Sequence, residues 1–184
     1  MEFKTELEDY LTNRISAENI EKIGKSDKVN QELVDALWES VKTNKHPLAW
    51  RAAWALHHIL SYNSNWKMMH QYIDEIINSI PNFTHNGQRR ELLIVLQYFD
   101  INDLDIGKTV DLCYNMLFDS DEAIAVKAHA MQILYDISNI EPELKSELKQ
   151  TLELMIQESS PGIKGRAKRL IKSLNKDLIR INKV

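Results

Sequence analysis

Apolar residues recur along nearly the whole chain at the spacing of three and four residues that places side chains on one face of an α-helix. The alternation of apolar and polar residues that is typical of β-strands is not found at any convincing length. The clearest helical stripes are, in chain order, Phe3, Leu7, Tyr10, Leu11; Leu33, Leu37, Trp38, Val41; Met69, Ile73, Ile76, Ile77, Ile80; Ile106, Val110, Cys113, Leu117; and Leu144, Leu148, Leu152, Met155. The pattern predicts about ten helices.

Helix boundaries are marked by residues with known preferences for helix ends. Ser16 and Asn30 are expected to cap the helices that follow them, because their side chains accept hydrogen bonds from free backbone N–H groups. Gly24 is expected to end a short helix. Pro47 suits the first turn of another, since its missing N–H would have no partner there. Ser120, within an acidic cluster, is expected to begin a further helix.

Four segments of the chain align with one another without gaps. They cover residues 49–60, 89–100, 126–137 and 163–174, with starts 40, 37 and 37 residues apart. The shared apolar positions are the fifth (Ala53, Leu93, Ala130, Ala167), the eighth (Leu56, Leu96, Ile133, Leu170) and the twelfth (Leu60, Ile137, Leu174, with Phe99 beside the exception Asp100). Each interval contains one more amphipathic stripe, so the repeating unit is predicted to be a helical pair of about 40 residues.

The last two segments contain a motif that resembles a known family. In Val126-Lys127-x-x-Ala130-x-x-Ile133 and Ile163-Lys164-x-x-Ala167-x-x-Leu170, an apolar-then-basic pair precedes a small residue and a leucine or isoleucine. This pattern is similar to the second helix of a HEAT repeat. The two earlier segments match less closely, because Trp50 takes the basic position and Leu93 the small one. The resemblance implies binding to other macromolecules and, for a minority of the family, enzymes such as DNA-alkylation repair glycosylases.

We therefore predict an all-α fold, a right-handed α-solenoid of about five stacked antiparallel helical hairpins with about ten helices. The sequence contains no Gly/Ser/Pro-rich linker, so one domain over residues 1–184 is expected. Within it we expect N-terminal capping helices over residues 1–28, four hairpin repeats over residues 29–179 and a tail over residues 180–184.

Composition and charge narrow the function classes. The fractions of 43% hydrophobic and 27% charged residues are ordinary for a soluble globular protein. The single cysteine, the lack of a signal-peptide pattern and the lack of a long apolar run lead us to expect a cytoplasmic protein without a membrane segment. The net charge of −4 argues against general nucleic-acid binding.

The face for partner binding is predicted from the second, sixth and tenth positions of the aligned helices, which point away from the hairpin core. These positions are Trp50, Trp54, His58; Arg90, Ile94, Tyr98; Lys127, Met131, Tyr135; and Lys164, Lys168, Lys172. Aromatic, Ile and Met side chains on an exposed face are typical of recognition sites. We predict a non-catalytic module that uses this face to bind a protein or peptide. In the competing interpretation, Trp50 and Trp54 pack between repeats.

The end of the chain is strongly basic. Residues 164–184 contain eight Lys/Arg and one acid, Asp177, a net charge of +7, so the remainder of the −4 chain carries −11. One interpretation is the polar outer face of a terminal repeat. The other is a site for an anionic partner at Lys164, Lys168, Lys172 and Arg169, where a short acidic segment fits better than duplex DNA because the rest of the chain is negative.

No motif in the sequence indicates catalysis, a cofactor or a metal. The six histidines form no i, i+4 pair, and no P-loop, dinucleotide fingerprint or nucleophile elbow is present. Cys113 lies on an apolar stripe, which favours a buried, inert thiol. Two other functions remain open: a repair glycosylase or other nucleic-acid-binding protein, and a structural subunit that buries its face by self-association.

Overall fold

The computed structural model describes residues 2–26, 28–62, 64–158 and 160–181, and over these residues it contains ten α-helices and no β-strand. The helices are α1 (Glu2–Asp9), α2 (Ala17–Gly24), α3 (Gln31–Lys42), α4 (Leu48–Leu60), α5 (Ile73–Ser79), α6 (Asn86–Leu96), α7 (Ile106–Phe118), α8 (Ile124–Ser138), α9 (Leu144–Glu158) and α10 (Pro161–Ile181). The prediction of an all-α repeat fold is confirmed. The chain forms two compact units, an N-terminal unit (Met1–Leu104) and a C-terminal unit (Asp105–Val184).

In the N-terminal unit, α4 is the central helix. It packs against α2, α3 and α6. The sequence of α4 explains this position, because Ala49, Ala52, Ala53 and Ala55 are buried and their small side chains allow neighbouring helices to approach closely. Large side chains from the neighbouring helices, above all the fully buried Trp38 of α3, fill the remaining core.

The predicted helix starts in this unit are confirmed in atomic detail. The Ser16 side chain accepts a hydrogen bond from the backbone N–H of Asn19 at 3.2 Å, and α2 begins at the next residue. Asn30 Oδ1 accepts from the N–H of Leu33 at 2.9 Å at the start of α3. Pro47 lies at the N-cap position of α4, one residue before the predicted first turn, and its carbonyl accepts a hydrogen bond from the N–H of Arg51 at 3.0 Å.

Two segments of the N-terminal unit depart from regular α-helix. The predicted first helix ends as an α-helix at Asp9 and continues as a π-helical turn over Tyr10–Arg14. The stripe that begins at Met69 is buried as expected, yet only its middle is α-helical. A 3₁₀ segment over Asn65–Tyr72 precedes α5, and another over Ile80–Asn82 follows it.

The C-terminal unit contains two helical pairs, α7 with α8 and α9 with α10, and α10 also packs against α8. Asp105 caps α7 by accepting a hydrogen bond from the N–H of Lys108 at 3.0 Å. The expected role of Ser120 is wrong. Helix α8 begins at Ile124 after Ala123, without a side-chain cap.

The aligned positions of the repeat form the core of both units. Apart from the exposed Asp100, the fifth, eighth and twelfth positions are at most 6% exposed, as is Phe99 beside Asp100: Ala53, Leu93, Ala130, Ala167; Leu56, Leu96, Ile133, Leu170; and Leu60, Phe99, Ile137, Leu174. They lie in α4, α6, α8 and α10 or, for Phe99, just after α6. The periodicity read from the sequence is thus the periodicity of burial. The assignment of residues 1–28, 29–179 and 180–184 to caps, repeats and tail stays a prediction.

In the described part of the chain, none of the helices combines the length and the apolar character needed to cross a membrane.

Candidate functional site

The N-terminal unit presents a cluster of aromatic side chains where α4 and α6 pack together. Trp50, Trp54 and His58 lie along α4, each four residues from the next, and Tyr98 lies two residues after the end of α6. All four side chains are half-buried, and we call them the aromatic face. The structure therefore supports neither full burial of the two tryptophans nor a fully solvated face.

Trp50 is held at one end of the aromatic face by two histidines and a glycine. Its ring centroid lies 5.6 Å from that of His85 and 6.3 Å from that of His46, and the two histidine rings stack at 4.7 Å. A Cβ atom at Gly87 would lie 2.5 Å from Trp50 Nε1, so only glycine leaves room for this indole. Burial, then the neighbouring His46 and Arg90, lower the pKa of His85.

Trp54, His58 and Tyr98 are linked through His57. The Trp54 and His58 rings meet edge to face at 4.7 Å, and His58 stacks on His57 at 4.6 Å. The His57 ring lies 6.1 Å from Tyr98. Burial, then the nearby His57, lower the pKa of His58, so this ring stays neutral at neutral pH. Burial raises the pKa of the Tyr98 hydroxyl.

Beneath these rings lies Glu91 of α6, which is 2% exposed. Its Oε2 lies 2.7 Å from His57 Nδ1, and its Oε1 accepts hydrogen bonds from the Arg90 guanidinium, with Arg90 Nε at 3.1 Å. Burial by itself raises the pKa of Glu91, but the hydrogen bonds from His57 and Arg90 outweigh burial and hold this pKa below its ordinary value. Glu91 is therefore an ionised carboxylate that holds the His57 ring in place and forms an ion pair with Arg90.

In the C-terminal unit the predicted face residues separate into different environments. Met131 is fully buried, so its predicted exposure is wrong; α8 is packed by α7, α9 and α10, which leaves no open side at this position. Tyr135 is half-buried, and its hydroxyl lies 3.2 Å from Asp177 Oδ2 of α10. The Lys145 ammonium is 5.5 Å from the Tyr135 ring centre and 3.4 Å from the same Asp177 oxygen. Tyr135 is thus part of a helix-to-helix contact.

The lysines of α10 lie elsewhere on the C-terminal unit. Lys168 and Lys172 are exposed and line a groove with Glu153 and Ile156 of α9. Lys164 of α10 and Lys127 of α8 are half-buried. Of the twelve predicted residues, four form the aromatic face of the N-terminal unit, and two, Lys168 and Lys172, line a groove of the C-terminal unit.

Comparison with known families agrees with the repeat geometry. A family model described as a HEAT repeat domain matches residues 7–174. The chain belongs to the HEAT-repeat family. The match extends into both compact units and includes all four aligned segments, which lie in or beside α4, α6, α8 and α10. Searches of curated proteins and of solved structures found no further match.

Membership in the HEAT-repeat family gives the function at a coarse level. HEAT repeats form helical scaffolds that usually mediate protein interactions. In this HEAT-repeat chain no group of three His, Cys, Asp or Glu residues among the described positions is arranged to hold a metal ion. Cys113 is buried, and burial raises the pKa of its thiol to about 12.

Sequence reasoning missed the residues that organise the aromatic face. Glu91, His57, His46 and His85 fall outside the second, sixth and tenth repeat positions. The only sequence signal for them is composition, since four of the six histidines of the chain lie at His46, His57, His58 and His85, near the two tryptophans of α4. The Glu91–His57 contact joins residues 34 positions apart and the His46–His85 contact residues 39 apart, separations that one aligned helix does not reveal.

Proposed function

We propose that this HEAT-repeat chain is a non-catalytic protein-binding module whose contact surface in the N-terminal unit is the aromatic face. The observation that supports this proposal is the half-exposed set of Trp50, Trp54 and His58 on α4 with Tyr98 just after the adjoining helix α6. Large aromatic side chains supply much of the binding energy at protein interfaces and lose little conformational freedom on binding.

The packing of the aromatic face favours a preorganised surface. Each ring contacts another ring, and His57 is fixed by the buried Glu91 carboxylate. A side chain that is already held in one position has less rotamer entropy to lose when a partner binds. The surface is therefore suited to a partner that offers apolar or aromatic groups to fixed rings.

A nucleic-acid partner or a glycosylase activity is less well supported at this face. Residues 1–104 contain 11 Lys/Arg and 15 Asp/Glu, so this part of the sequence carries net negative charge, which repels a polyanion. Arg90 is engaged by Glu91, and the Glu91 carboxylate is 2% exposed and bound to His57 and Arg90, so it is not presented to a substrate for acid–base catalysis. The cytoplasmic location and the self-association alternative stay predictions.

Site-specific photo-crosslinking tests the proposal. A photoreactive phenylalanine analogue at Trp54 or Tyr98 is expected to crosslink to a protein in extracts of the source cells. The matched control places the same analogue at Phe118, an aromatic residue that is 68% exposed in the C-terminal unit. Crosslinks of equal yield at all three positions, or crosslinks to nucleic acid alone, would argue against a specific protein-binding face.

Affinity measurements with the captured protein complete the test. The variants Trp54→Ala and Tyr98→Ala are each expected to weaken binding by about tenfold or more, the effect of removing an interface anchor. Phe118→Ala is expected to leave binding unchanged. Thermal melting of each variant separates loss of contact from loss of fold; unchanged affinity in a folded Trp54→Ala, Tyr98→Ala double variant would contradict the proposal.

A further inference from the structure

The surface of the α9–α10 pair contains an open groove of about 550 Å³. Its lining comes from both helices, with Glu153 and Ile156 on α9 and the other residues on α10: Lys168, Ile171, Lys172, Asn175, Lys176 and Ile179. We call this the lysine groove. It uses none of the residues of the aromatic face.

The base of the lysine groove is apolar. Ile156 and Ile171 are half-buried, and Ile179 is 57% exposed. An isoleucine exposed singly on a surface is ordinary, but three that line one concavity form a site for apolar side chains.

The edge of the lysine groove is cationic. Lys168, Lys172 and Lys176 are four residues apart, so they form one row along α10, and all three are exposed. None of them forms an ion pair with an acid in the described part of the chain. Among the described residues that line the groove, the one carboxylate is Glu153, which is 3.5 Å from Lys149 of its own helix. Neighbouring like charges on a helix repel one another, so this row gains stability when an anionic partner binds.

We propose that the lysine groove binds a short acidic segment of a partner protein, with carboxylates on the lysine row and apolar side chains over the three isoleucines. The inference rests on the proposed protein-binding function but concerns a separate surface. A nucleic-acid backbone would match the lysines and leave the isoleucines without apolar contacts. A membrane surface is also a poorer match, because a broad lipid surface does not enter a concavity between two helices.

Fluorescence anisotropy with synthetic peptides tests this inference on the full chain. The probe is a labelled peptide in which leucines at helical spacing are separated by glutamates. Binding is expected to weaken about tenfold when the leucines become serines, and by at least as much when the glutamates become glutamines. Equal binding of the serine peptide would overturn the proposal, because charge alone would then explain the affinity.

Protein variants locate the binding on the chain. The triple variant Lys168→Gln, Lys172→Gln, Lys176→Gln and the single variant Ile179→Ser are each expected to weaken peptide binding about tenfold. The matched control, Lys22→Gln, Lys45→Gln, Lys67→Gln, removes the same charge from the N-terminal unit and is expected to leave binding unchanged. Equal loss in both triple variants would overturn the assignment to this groove.

Two further probes distinguish the class of partner. A labelled single-stranded oligonucleotide and vesicles of anionic phospholipid are expected to bind more weakly than the glutamate–leucine peptide. Tighter binding of either one, lost in the α10 triple variant, would overturn the proposal of a protein partner. Trp54→Ala is expected to leave peptide binding unchanged, so a failure of the lysine groove and a failure of the aromatic face give different results.

Discussion

Glycine positions show how closely the helices of the N-terminal unit approach one another. Gly24, the last residue of α2, has a negative φ, so its conformation does not require glycine. The constraint is space, since a Cβ at this position would lie 2.6 Å from Tyr62 Cδ2 and 3.2 Å from the backbone Cα of Ile59. The sequence indicated a helix end at Gly24. The structure shows that glycine is needed there because Ile59 and Tyr62 lie too close to admit a side chain.

The variant Gly24→Ala is expected to destabilise the protein by about 1–3 kcal/mol, because Tyr62 and the Ile59 backbone must move to admit the methyl group. Gly165, inside α10, is the matched control, since nothing lies within 4 Å of its added Cβ. Gly165→Ala is expected to stabilise the protein by about 0.5–1 kcal/mol, the helix preference of alanine over glycine. Urea denaturation measures both; a stabilised Gly24→Ala variant would contradict the packing argument.

The buried carboxylate of Glu91 gives a pH-dependent prediction. Its pKa lies below the ordinary value in the folded chain, so its contribution to stability is complete above the unfolded pKa of about 4.3 and is lost as pH falls through the lower folded value. Glu91→Gln is expected to cost about 1–3 kcal/mol at pH 7. The difference from the wild-type protein should shrink as the pH falls below about 4.

Urea midpoints measured at a series of pH values check the Glu91 prediction. Glu153→Gln provides the control, because the Glu153 side chain is 49% exposed and its ion pair with Lys149 is expected to add little to stability. A stability difference for Glu91→Gln that stays constant from pH 7 to pH 3 would show that the charge of Glu91 has no part in it.

Glu91 also shows what could not be predicted from the sequence. Helices rich in glutamate place carboxylates at every position by chance, and nothing local distinguishes Glu91 from its exposed counterparts. Its burial depends on His57, 34 residues earlier, which lies on the facing helix.

Met131 is a predicted site residue whose environment differs from the prediction. It occupies the same repeat position as the half-exposed Trp54 and Ile94, but three helices enclose α8, so periodicity alone did not give its environment.

Between elements, a buried amide connects two helix ends in the N-terminal unit. Asn65 is 8% exposed, and its Nδ2 donates hydrogen bonds to the carbonyl of Gly24, at the end of α2, at 3.2 Å and to the carbonyl of Ile59, in the last turn of α4, at 3.1 Å. Carbonyls in the last turn of a helix have no partner within the helix. One side chain therefore donates to two carbonyls from helices that are distant in sequence, and the Ile59 carbonyl also accepts a hydrogen bond from the N–H of Tyr62 at 3.3 Å.

Asn65→Leu is expected to destabilise the protein by about 1–3 kcal/mol, because a similar volume remains while two buried carbonyls lose a donor. Hydrogen exchange should report faster opening in the last turns of α2 and α4, with urea denaturation giving the global effect. Asn82→Ala is the control, since Asn82 is exposed and its side-chain amide donates a hydrogen bond to the nearby Asn78 carbonyl. Equal losses in the two variants would show that burial of the amide is unimportant.

A helix start could be predicted from the sequence where a single capping side chain determines it. Ser16 and Asn30, the two predicted caps, each accept a hydrogen bond from a backbone N–H three residues later, a local interaction that residue preference captures. Helix type was less predictable. The apolar stripe that begins at Met69 predicted an α-helix, but Met69 lies in the 3₁₀ helix Asn65–Tyr72, in which Asn65 donates hydrogen bonds to carbonyls of α2 and α4.

At the scale of the whole molecule, the family match and the burial pattern describe the same repeat. Residues 7–174 match a HEAT repeat domain, and the aligned positions in α4, α6, α8 and α10 are core in both compact units. In such arrays stability is approximately a sum of contributions from repeats and from their interfaces with neighbours. The order in which the two units open is then a measurable property of the full chain.

The single cysteine provides that measurement without any engineered label. Cys113 lies in α7 of the C-terminal unit, is fully buried, and burial raises the pKa of its thiol to about 12. Because only the exposed thiolate reacts readily with disulfide reagents, labelling at pH 8 is expected to be negligible in the native protein and complete in the unfolded chain. With rising urea, the midpoint of labelling should coincide with the midpoint of helix loss by circular dichroism if both units unfold together. Labelling at clearly lower urea would show that the C-terminal unit opens first, and fast labelling without urea would contradict the burial of Cys113.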